Sequence, residues 1–216
     1  TENGPAAFLV EGDSPGLVRH PMSKIGRRVG DNAEIFFDNV RVPKGRILPP
    51  APPGRTDLGT TVTIAALTLG LGRAAFDETL KFVQERVSGG KPIVKHLAVG
   101  LTLADMATSL EAARNLTWKA AWAKDHPEAF EDGGLERQPF EHMAAAFTGT
   151  AVHELTVQGM ELFGGMGVIS GMPIEKYVRD ALVQKHISFP FPSRFRITEA
   201  LTGFKRRIGP LIGSTN

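Results

Sequence analysis

The side chains best suited to move a proton near neutral pH are the six histidines of this sequence, which contains no cysteine. Without cysteine, disulfides, thiolate metal sites and a cysteine nucleophile are all excluded. His96, His142 and His153 lack the spacing of a zinc site, so we predict no metal centre. Chemistry based on thiolates or zinc is therefore not expected.

Basic side chains are concentrated in the last predicted helix. They are Arg194, Arg196, Lys205, Arg206 and Arg207. A basic helix face is usually solvated, although it could instead meet the phosphates of a ligand or an acidic partner subunit. The formal net charge of +2 is too balanced for the electrostatic footprint of a nucleic-acid-binding protein. We therefore expect no nucleic acid partner.

The composition is that of a globular protein able to bury a core. Its 216 residues suffice for one large or two small domains, and 42% of them are hydrophobic. No apolar run reaches the ~20 residues that span a bilayer, and the start shows no signal-peptide pattern. We predict a cytoplasmic protein without a membrane span. The chain starts at Thr1, directly before a strand-like run, so we expect further sequence upstream.

The first 48 residues read as β structure, with strand candidates at 6–10 and 33–42. The Asp-Ser-Pro-Gly sequence at 13–16 consists of residues that tight turns require. A proline-rich segment follows at 49–54, where neither a helix nor an internal strand can continue because proline lacks the amide donor. The prediction is a β segment at 1–48, a linker at 49–54 and a separate domain at 55–216.

Everything after the linker reads as helix. Apolar residues recur at spacings of three and four in three stripes: Phe76, Leu80, Val83 and Val87; Val99, Leu103, Met106, Leu110 and Ala113; Ala144, Phe147, Ala151 and Leu155. Two further helices are predicted at about 174–184 and 194–208. Trp118 and Trp122 share one helical face and are predicted to pack. Long helices with short connections favour an antiparallel bundle.

Four groups of motifs, in order along the chain, resemble the acyl-CoA dehydrogenase family. The first resembles the end of that family's middle β domain, the next two its first C-terminal helices, and the last its late glycine loop and arginine-aspartate helix. They lie at residues 24–43, at 69–77 with 85–93, at 103–107, and at 162–167 with 173–181. Each motif alone is weak evidence, but four in register identify the chain as a member of the family.

The resemblance implies an α+β fold in which a short antiparallel β segment, the end of a barrel-like domain, precedes an antiparallel four-helix bundle. It also implies that this sequence enters midway through the β domain. The portion before that point normally carries much of the flavin and substrate pocket. These 216 residues would then be unable to build a complete active site alone.

The family removes the α-proton of an acyl thioester with a glutamate, and counting from Arg179 and Asp180 places that base at Ser188. A minority of members carry the base on the first C-terminal helix, at the position of Thr60, beside an arginine position that is Thr61 here. Neither residue is an acid, and a neutral hydroxyl cannot replace a carboxylate base. His186 could stand in, although a lone histidine is more often a packing or surface residue.

The flavin contacts implied by the resemblance are mixed. Family members hold the adenine and pyrophosphate end of FAD in a neighbouring subunit with an arginine, matched by Arg86, and a glycine loop, matched by Gly164 and Gly165. The planar fork of an arginine suits a pyrophosphate. The family's phenylalanine is Gly89 and its glutamine is Glu161, whose charge would oppose a phosphate. Arg86 could otherwise be a solvated cation at a helix end.

The favoured interpretation is the supporting, non-catalytic part of a heteromeric, FAD-dependent acyl-CoA dehydrogenase. Its expected partners are an acyl-CoA substrate, a homologous subunit in a hetero- or homo-oligomer, and electron-transfer flavoprotein or a similar acceptor. One alternative is a flavin-dependent hydroxylase of the same fold, which needs no α-proton base. The other is a non-enzymatic relative that binds neither flavin nor thioester.

Overall fold

A computed structural model of the chain describes residues 6–49, 60–130, 137–188 and 190–204. The described residues fall into two compact units, one before and one after the gap at 50–59. The predicted linker at 49–54 lies, apart from Pro49, outside the described residues. The boundaries 1–48, 49–54 and 55–216 therefore stay a prediction.

The first unit contains two antiparallel strand pairs. β1 (Ala7–Phe8) pairs with β4 (Ile47–Leu48), and β2 (Leu17–Pro21) pairs with β3 (Ala33–Phe37), with Leu17 opposite Phe37. Gly16 lies directly before β2 and has a φ of +84°. A Cβ at Gly16 would collide with the backbone oxygen of Asp38. A two-stranded pair has little independent stability in water.

The strand predictions for this unit were partly wrong. Of the predicted strand at 6–10 only Ala7–Phe8 is formed, and the predicted strand at 33–42 ends at Phe37. Asn39 explains the second difference, because its φ of +51° lies in the left-handed region and turns the chain away from extended geometry. The strand Leu17–Pro21 was not predicted.

Five α-helices of the described residues make up most of the second unit, and the predicted bundle is confirmed. They are α1 (Thr60–Glu85), α2 (Leu97–Asp125), α3 (Arg137–Leu162), α4 (Pro173–Ile187) and α5 (Pro190–Thr202). Between α1 and α2 lies a small hairpin of β5 (Val87–Ser88) and β6 (Lys91–Pro92). Each of the other four helices packs on the central helix α3, and α1 also packs on α2 and α4.

Close approaches between named residues fix the relative direction of α3 and α4. Gly149 and Gly159 of α3 face Ser188 and Ile174 of α4, so these two helices are antiparallel. Thr117 of α2 approaches Thr148 of α3 at 3.4 Å between their hydroxyl oxygens. The main core is a cluster of buried residues from α1 to α4: Ala75, Val83, Leu103, Met106, Leu110, Leu155, Phe163 and Ile174.

Three helix predictions need correction. Val87 lies in β5 and is 58% exposed, because α1 ends at Glu85. Phe147 is 42% exposed, since the buried face of α3 runs instead through Ala144, Thr148 and Ala151. The helices predicted at 174–184 and 194–208 span Pro173–Ile187 and Pro190–Thr202, with 205–208 outside the described residues.

The predicted packing of Trp118 and Trp122 is wrong, because their side chains are 71% and 50% exposed. The buried face of α2 carries Leu103, Met106, Leu110 and Ala113, as predicted from their spacing. The two tryptophans lie on a different face of that helix. Their exposure leaves two large aromatic surfaces in contact with water.

Candidate functional site

Ser188, the predicted position of the family's base, lies buried at the C-terminal end of α4. Its side chain is 3% exposed, and both its amide and its hydroxyl donate hydrogen bonds of 2.9 Å to the carbonyl oxygen of Gln184. The hydroxyl thus caps its own helix. It is placed to stabilise the end of α4 and has no capacity to accept a proton at neutral pH.

Gly149 of α3 makes room for Ser188. A Cβ at Gly149 would lie 2.8 Å from the Cβ of Ser188 and 2.9 Å from its Oγ. Both residues are buried, so α3 and α4 can approach this closely only because position 149 carries no side chain. A side chain longer than serine at position 188 would therefore find no room on the side that faces α3.

One turn along the contact between α3 and α4 lies His153, for which the sequence predicted no role. Its Nδ1 and the Nε2 of Gln184 are both buried without a hydrogen-bond partner among the described residues. Gly149 and His153 are four residues apart on α3, as are Ser188 and Gln184 on antiparallel α4, so the two orphaned atoms belong to one seam. The prediction missed this seam because it requires the pairing of α3 with α4.

Burial lowers the pKa of His153 below its ordinary value, and the positive charge of Lys185 lowers it further. Glu154 raises that pKa and His186 lowers it, both more weakly. The neutral imidazole is therefore the form that the folded protein prefers.

We expect the free energy of unfolding to fall as the pH drops through the unfolded-state pKa of His153, near 6.5. The folded-state pKa is lower, so the unfolded state binds the proton more readily and acid favours unfolding until the pH passes below the folded-state pKa. Urea denaturation at pH 8.0 and pH 5.5 measures the change. The variant His153→Gln should lose less stability between these two pH values than the parent. An equal loss in both proteins would contradict the assignment.

Arg86 and the glycine loop lie at the same end of the bundle, where α3 ends. The rings of Phe82 and Phe163 stack with centroids 3.9 Å apart. Arg86 follows Phe82 by one turn, donating its backbone amide to the carbonyl of Phe82 at 2.8 Å, and Gly164 follows Phe163 directly. The stack thus brings the predicted arginine and the predicted glycines to one end of the bundle.

The backbone of the glycine loop is uncovered. Gly164 has a φ of +59°, and a Cβ at Gly164 or Gly165 would meet no atom within 4 Å. Arg86 is also exposed, so its guanidinium and the loop backbone are both accessible to a ligand. An anionic group could accept hydrogen bonds from both, which suits the pyrophosphate predicted for this position.

The tip of the β5–β6 hairpin, which follows Arg86, explains why position 89 is a glycine and not the family's phenylalanine. Gly89 and Gly90 have φ values of +61° and +78°, a left-handed pair typical of a tight hairpin turn. The ring of His96 lies over Gly89, with its Nε2 3.1 Å from the carbonyl oxygen of Ser88. A phenylalanine at position 89 would be strained in this turn.

The two groups of predicted site residues are far apart. Gly149, opposite Ser188, and Phe163, beside the glycine loop, are 14 positions apart along α3, or about 21 Å at 1.5 Å per residue. Arg86 and Ser188 therefore cannot act on one reacting atom. The described chain thus has an exposed arginine and a glycine loop at one end of the bundle and, separately, a closed helix end at the predicted base position.

The other predicted residues lie on α1, α3 and α4. Thr60 is the first residue of α1, and its side chain is outside the described part of the structure, whereas Thr61 is half-buried in the first turn. His186 is exposed in the last turn of α4. Glu161 is exposed near the end of α3.

Arg179 and Asp180 form ion pairs within α4. The guanidinium of Arg179 donates two hydrogen bonds to Glu175, at 2.6 and 3.1 Å, which raise the pKa of Arg179. Asp180 is buried and accepts a hydrogen bond from Lys176. These pairs lie four residues apart on one helix, so they stabilise α4 locally.

The described residues contain no cluster of three or more side chains that could hold a metal ion. None of the described helices is both long and apolar enough to cross a bilayer. Arg194 and Arg196 of the predicted basic helix are exposed, and Arg196 pairs with Glu199 at 3.1 Å. Lys205, Arg206 and Arg207 lie outside the described residues.

Comparison with known proteins agrees with this architecture. A family model for the C-terminal domain of acyl-CoA dehydrogenases matches residues 60–187. Cyclohexane-1-carbonyl-CoA dehydrogenase of Geobacter metallireducens is 35% identical over 190 residues, covering 83% of this chain and 47% of that protein. The mitochondrial short-chain specific acyl-CoA dehydrogenase of Bos taurus is 35% identical over 191 residues, covering 83% of this chain and 43% of that protein.

A solved structure shares the fold. Butyryl-CoA dehydrogenase from Megasphaera elsdenii superposes with a TM-score of 0.77 at 27% identity, covering 91% of this chain and 51% of that one. The chain thus spans about half or less of the length of the proteins that it matches.

Proposed function

Because this chain belongs to the acyl-CoA dehydrogenase family, we propose that it is part of an FAD-dependent enzyme that desaturates an acyl-CoA thioester between its α and β carbons. Relatives named for dehydrogenation of CoA thioesters support the reaction class. The absence of cysteine suits a reducing cytoplasm.

Within that enzyme, this chain has a supporting role and does not supply the base that accepts the α-proton. The observation that carries this proposal is the buried Ser188, whose hydroxyl is committed to the carbonyl of Gln184. Desaturation needs a group that accepts the α-proton, and a serine hydroxyl has no such capacity at neutral pH. A homologous subunit that keeps the family's glutamate is the partner expected to supply it.

The residues at the other end of the bundle fit the phosphates of FAD. Arg86 supplies a planar cation, and the loop at Gly164 and Gly165 presents backbone that no side chain covers. Glu161 is exposed, so its carboxylate can stay in water without facing the phosphate. When bound there, FAD would supply the hydride-acceptor chemistry at the β carbon, and we expect an electron-transfer flavoprotein or a similar acceptor as the partner for its electrons.

The experiment is to isolate the enzyme under native conditions and to measure its intact mass, its flavin spectrum and thioester desaturation. We expect co-purification with a homologous subunit and about one flavin for each pair of chains. Ser188→Ala should leave the rate within about twofold, whereas replacing the partner's glutamate with glutamine should abolish it, since removal of a general base costs about 10²-fold or more.

Three outcomes would contradict the proposal. Desaturation at an ordinary enzymatic rate by this polypeptide without a companion would place the base in this chain. Oxygen consumption by the reduced flavin, coupled to hydroxylation, would favour a hydroxylase of the same fold. A colourless native protein would indicate that no flavin is bound.

A further inference from the structure

Two polar side chains are buried without a hydrogen-bond partner among the described residues, where α3 packs against α4. They are the imidazole of His153 on α3, through its Nδ1, and the amide of Gln184 on α4, through its Nε2. Gln184 is only 4% exposed, so bulk water cannot reach its amide. A polar group that loses water and finds no partner destabilises the folded state, and nearly all buried polar groups in proteins therefore have one.

The two side chains belong to the same layer of the helix contact. A Cβ at Gly149 would lie 2.8 Å from the Cβ of Ser188, which fixes one point where α3 and α4 meet. His153 comes four residues after Gly149, and Gln184 four residues before Ser188. On antiparallel helices both therefore lie about 6 Å from that point in the same direction. Residues four apart share a helix face, so the imidazole and the amide start from opposite sides of one layer.

The electrostatic environment of His153 supports this placement. Burial is the main cause that lowers its pKa, and the charge of Lys185 lowers that pKa further. His186 lowers it more weakly, and Glu154 raises it. Lys185 and His186 are the two residues that follow Gln184 in α4. Because the interaction between charges falls with distance, the imidazole lies close to this turn of α4.

The two unpaired atoms have complementary hydrogen-bonding roles. In a neutral imidazole one ring nitrogen carries the proton and the other accepts a hydrogen bond. Among the described residues only Nδ1 of this ring is both buried and unpaired, so the tautomer protonated at Nε2 leaves Nδ1 of His153 as an acceptor. The amide nitrogen of Gln184 is a donor. The two side chains do not bond to each other, so a group that satisfies both must donate to one and accept from the other.

We propose that the seam between α3 and α4 binds one internal water molecule, which donates a hydrogen bond to Nδ1 of His153 and accepts one from Nε2 of Gln184. Water is the smallest ligand with both functions, and buried waters in proteins bridge polar groups that have no other partner. The lone pair of Nδ1 would repel an anion, and the amide hydrogens of Gln184 would repel a metal ion. The ligand is therefore a neutral molecule that both donates and accepts.

The water joins the end of α4 to α3. The backbone carbonyl of Gln184 accepts hydrogen bonds of 2.9 Å from both the amide and the hydroxyl of Ser188. The side chain of Gln184 connects the same turn to His153 through the water. Gln184 thus fixes the helix end at position 188 twice, once within α4 and once across the seam. This positioning role is separate from the proposed supporting function of the chain and does not depend on it.

A double-mutant cycle tests the bridge. His153→Leu and Gln184→Met each remove one polar group, change the side-chain volume little and leave the other group buried with an incomplete set of hydrogen bonds. Each single variant should lower the urea midpoint of the native protein by about 0.5 M or more. The double variant removes both polar groups, so its midpoint should be no lower than that of either single variant.

His186→Leu is the matched control for His153→Leu. His186 is an exposed histidine in the last turn of α4, so its removal leaves no buried group with an incomplete set of hydrogen bonds. The midpoint shifts of His186→Leu and Gln184→Met should therefore add. Far-UV circular dichroism checks that every variant keeps the helix content of the parent. Shifts that also add for His153→Leu and Gln184→Met would overturn the proposal.

A high-resolution crystal structure of the native protein supplies the direct measurement. It should show one water oxygen within about 3.2 Å of both Nδ1 of His153 and Nε2 of Gln184. The structure of the double variant should lack this water. A direct hydrogen bond between the two side chains, or a water bound to only one of them, would overturn the proposal. If the double variant does not fold, the structure of the parent decides alone.

Discussion

Replacing Arg86 with alanine is expected to weaken FAD binding by the native enzyme about 10- to 100-fold. Hydrogen bonds to a charged group contribute about 1.5 to 3 kcal/mol, and every 1.4 kcal/mol is a factor of ten in affinity. The side chain is exposed at the end of the bundle that also carries the uncovered glycine backbone, next to the stacked rings of Phe82 and Phe163. Titration of the apoprotein with FAD, followed by flavin fluorescence, gives the dissociation constant.

Arg73 supplies the control. It is an exposed arginine on the same helix, paired with Asp77 at 3.6 Å, and Arg73→Ala should leave the FAD dissociation constant unchanged. Arg86→Lys should recover only part of the affinity, because an ammonium group is a point charge without the planar fork. If Arg86→Ala binds FAD as tightly as the parent, Arg86 is only a solvated helix-end cation.

Replacing Leu155 with alanine is expected to lower the free energy of unfolding by about 3 kcal/mol, within the 2 to 5 kcal/mol range for such changes. Leu155 is 1% exposed and belongs to the same buried cluster as Met106, Val83 and Ile174. Removing its side chain deletes buried apolar contacts and leaves a cavity between the helices. The surrounding residues can only partly relax to fill that cavity. Urea denaturation followed by far-UV circular dichroism measures the loss.

Leu67→Ala is the comparison for this change. It deletes the same atoms from a helix interior, but Leu67 is 60% exposed, so the free energy of unfolding should change by less than about 0.5 kcal/mol. Both variants gain the same small helix propensity, which cancels in the comparison. Equal losses at the two positions would show that the cluster around Leu155 does not carry the stability of the bundle.

The core face of α2 could be read from the sequence because its cause is local. Leu103, Met106, Leu110 and Ala113 recur at helical spacing, and all four are buried. Any helix that forms here places them together on one face, and a continuous apolar face favours burial. The same argument predicted the bundle, and the ordered motifs predicted the family, because each depends on spacing within a segment.

Other features depend on which surface another element covers, and spacing does not contain that information. Trp118 and Trp122 share a helical face, yet no element of the described bundle buries it, so the predicted packing was wrong. The sequence shows that position 188 is not an acid. It does not show that Gly149 of α3 packs closely against Ser188.

The sequence by itself thus determined the helices, their apolar stripes and the residues present at each motif. Only the tertiary structure decided which polar groups lose water, because desolvation depends on neighbours distant in sequence. His153 shows the difference: its Nδ1 is buried only where α3 meets α4, and the lowered pKa follows from that contact.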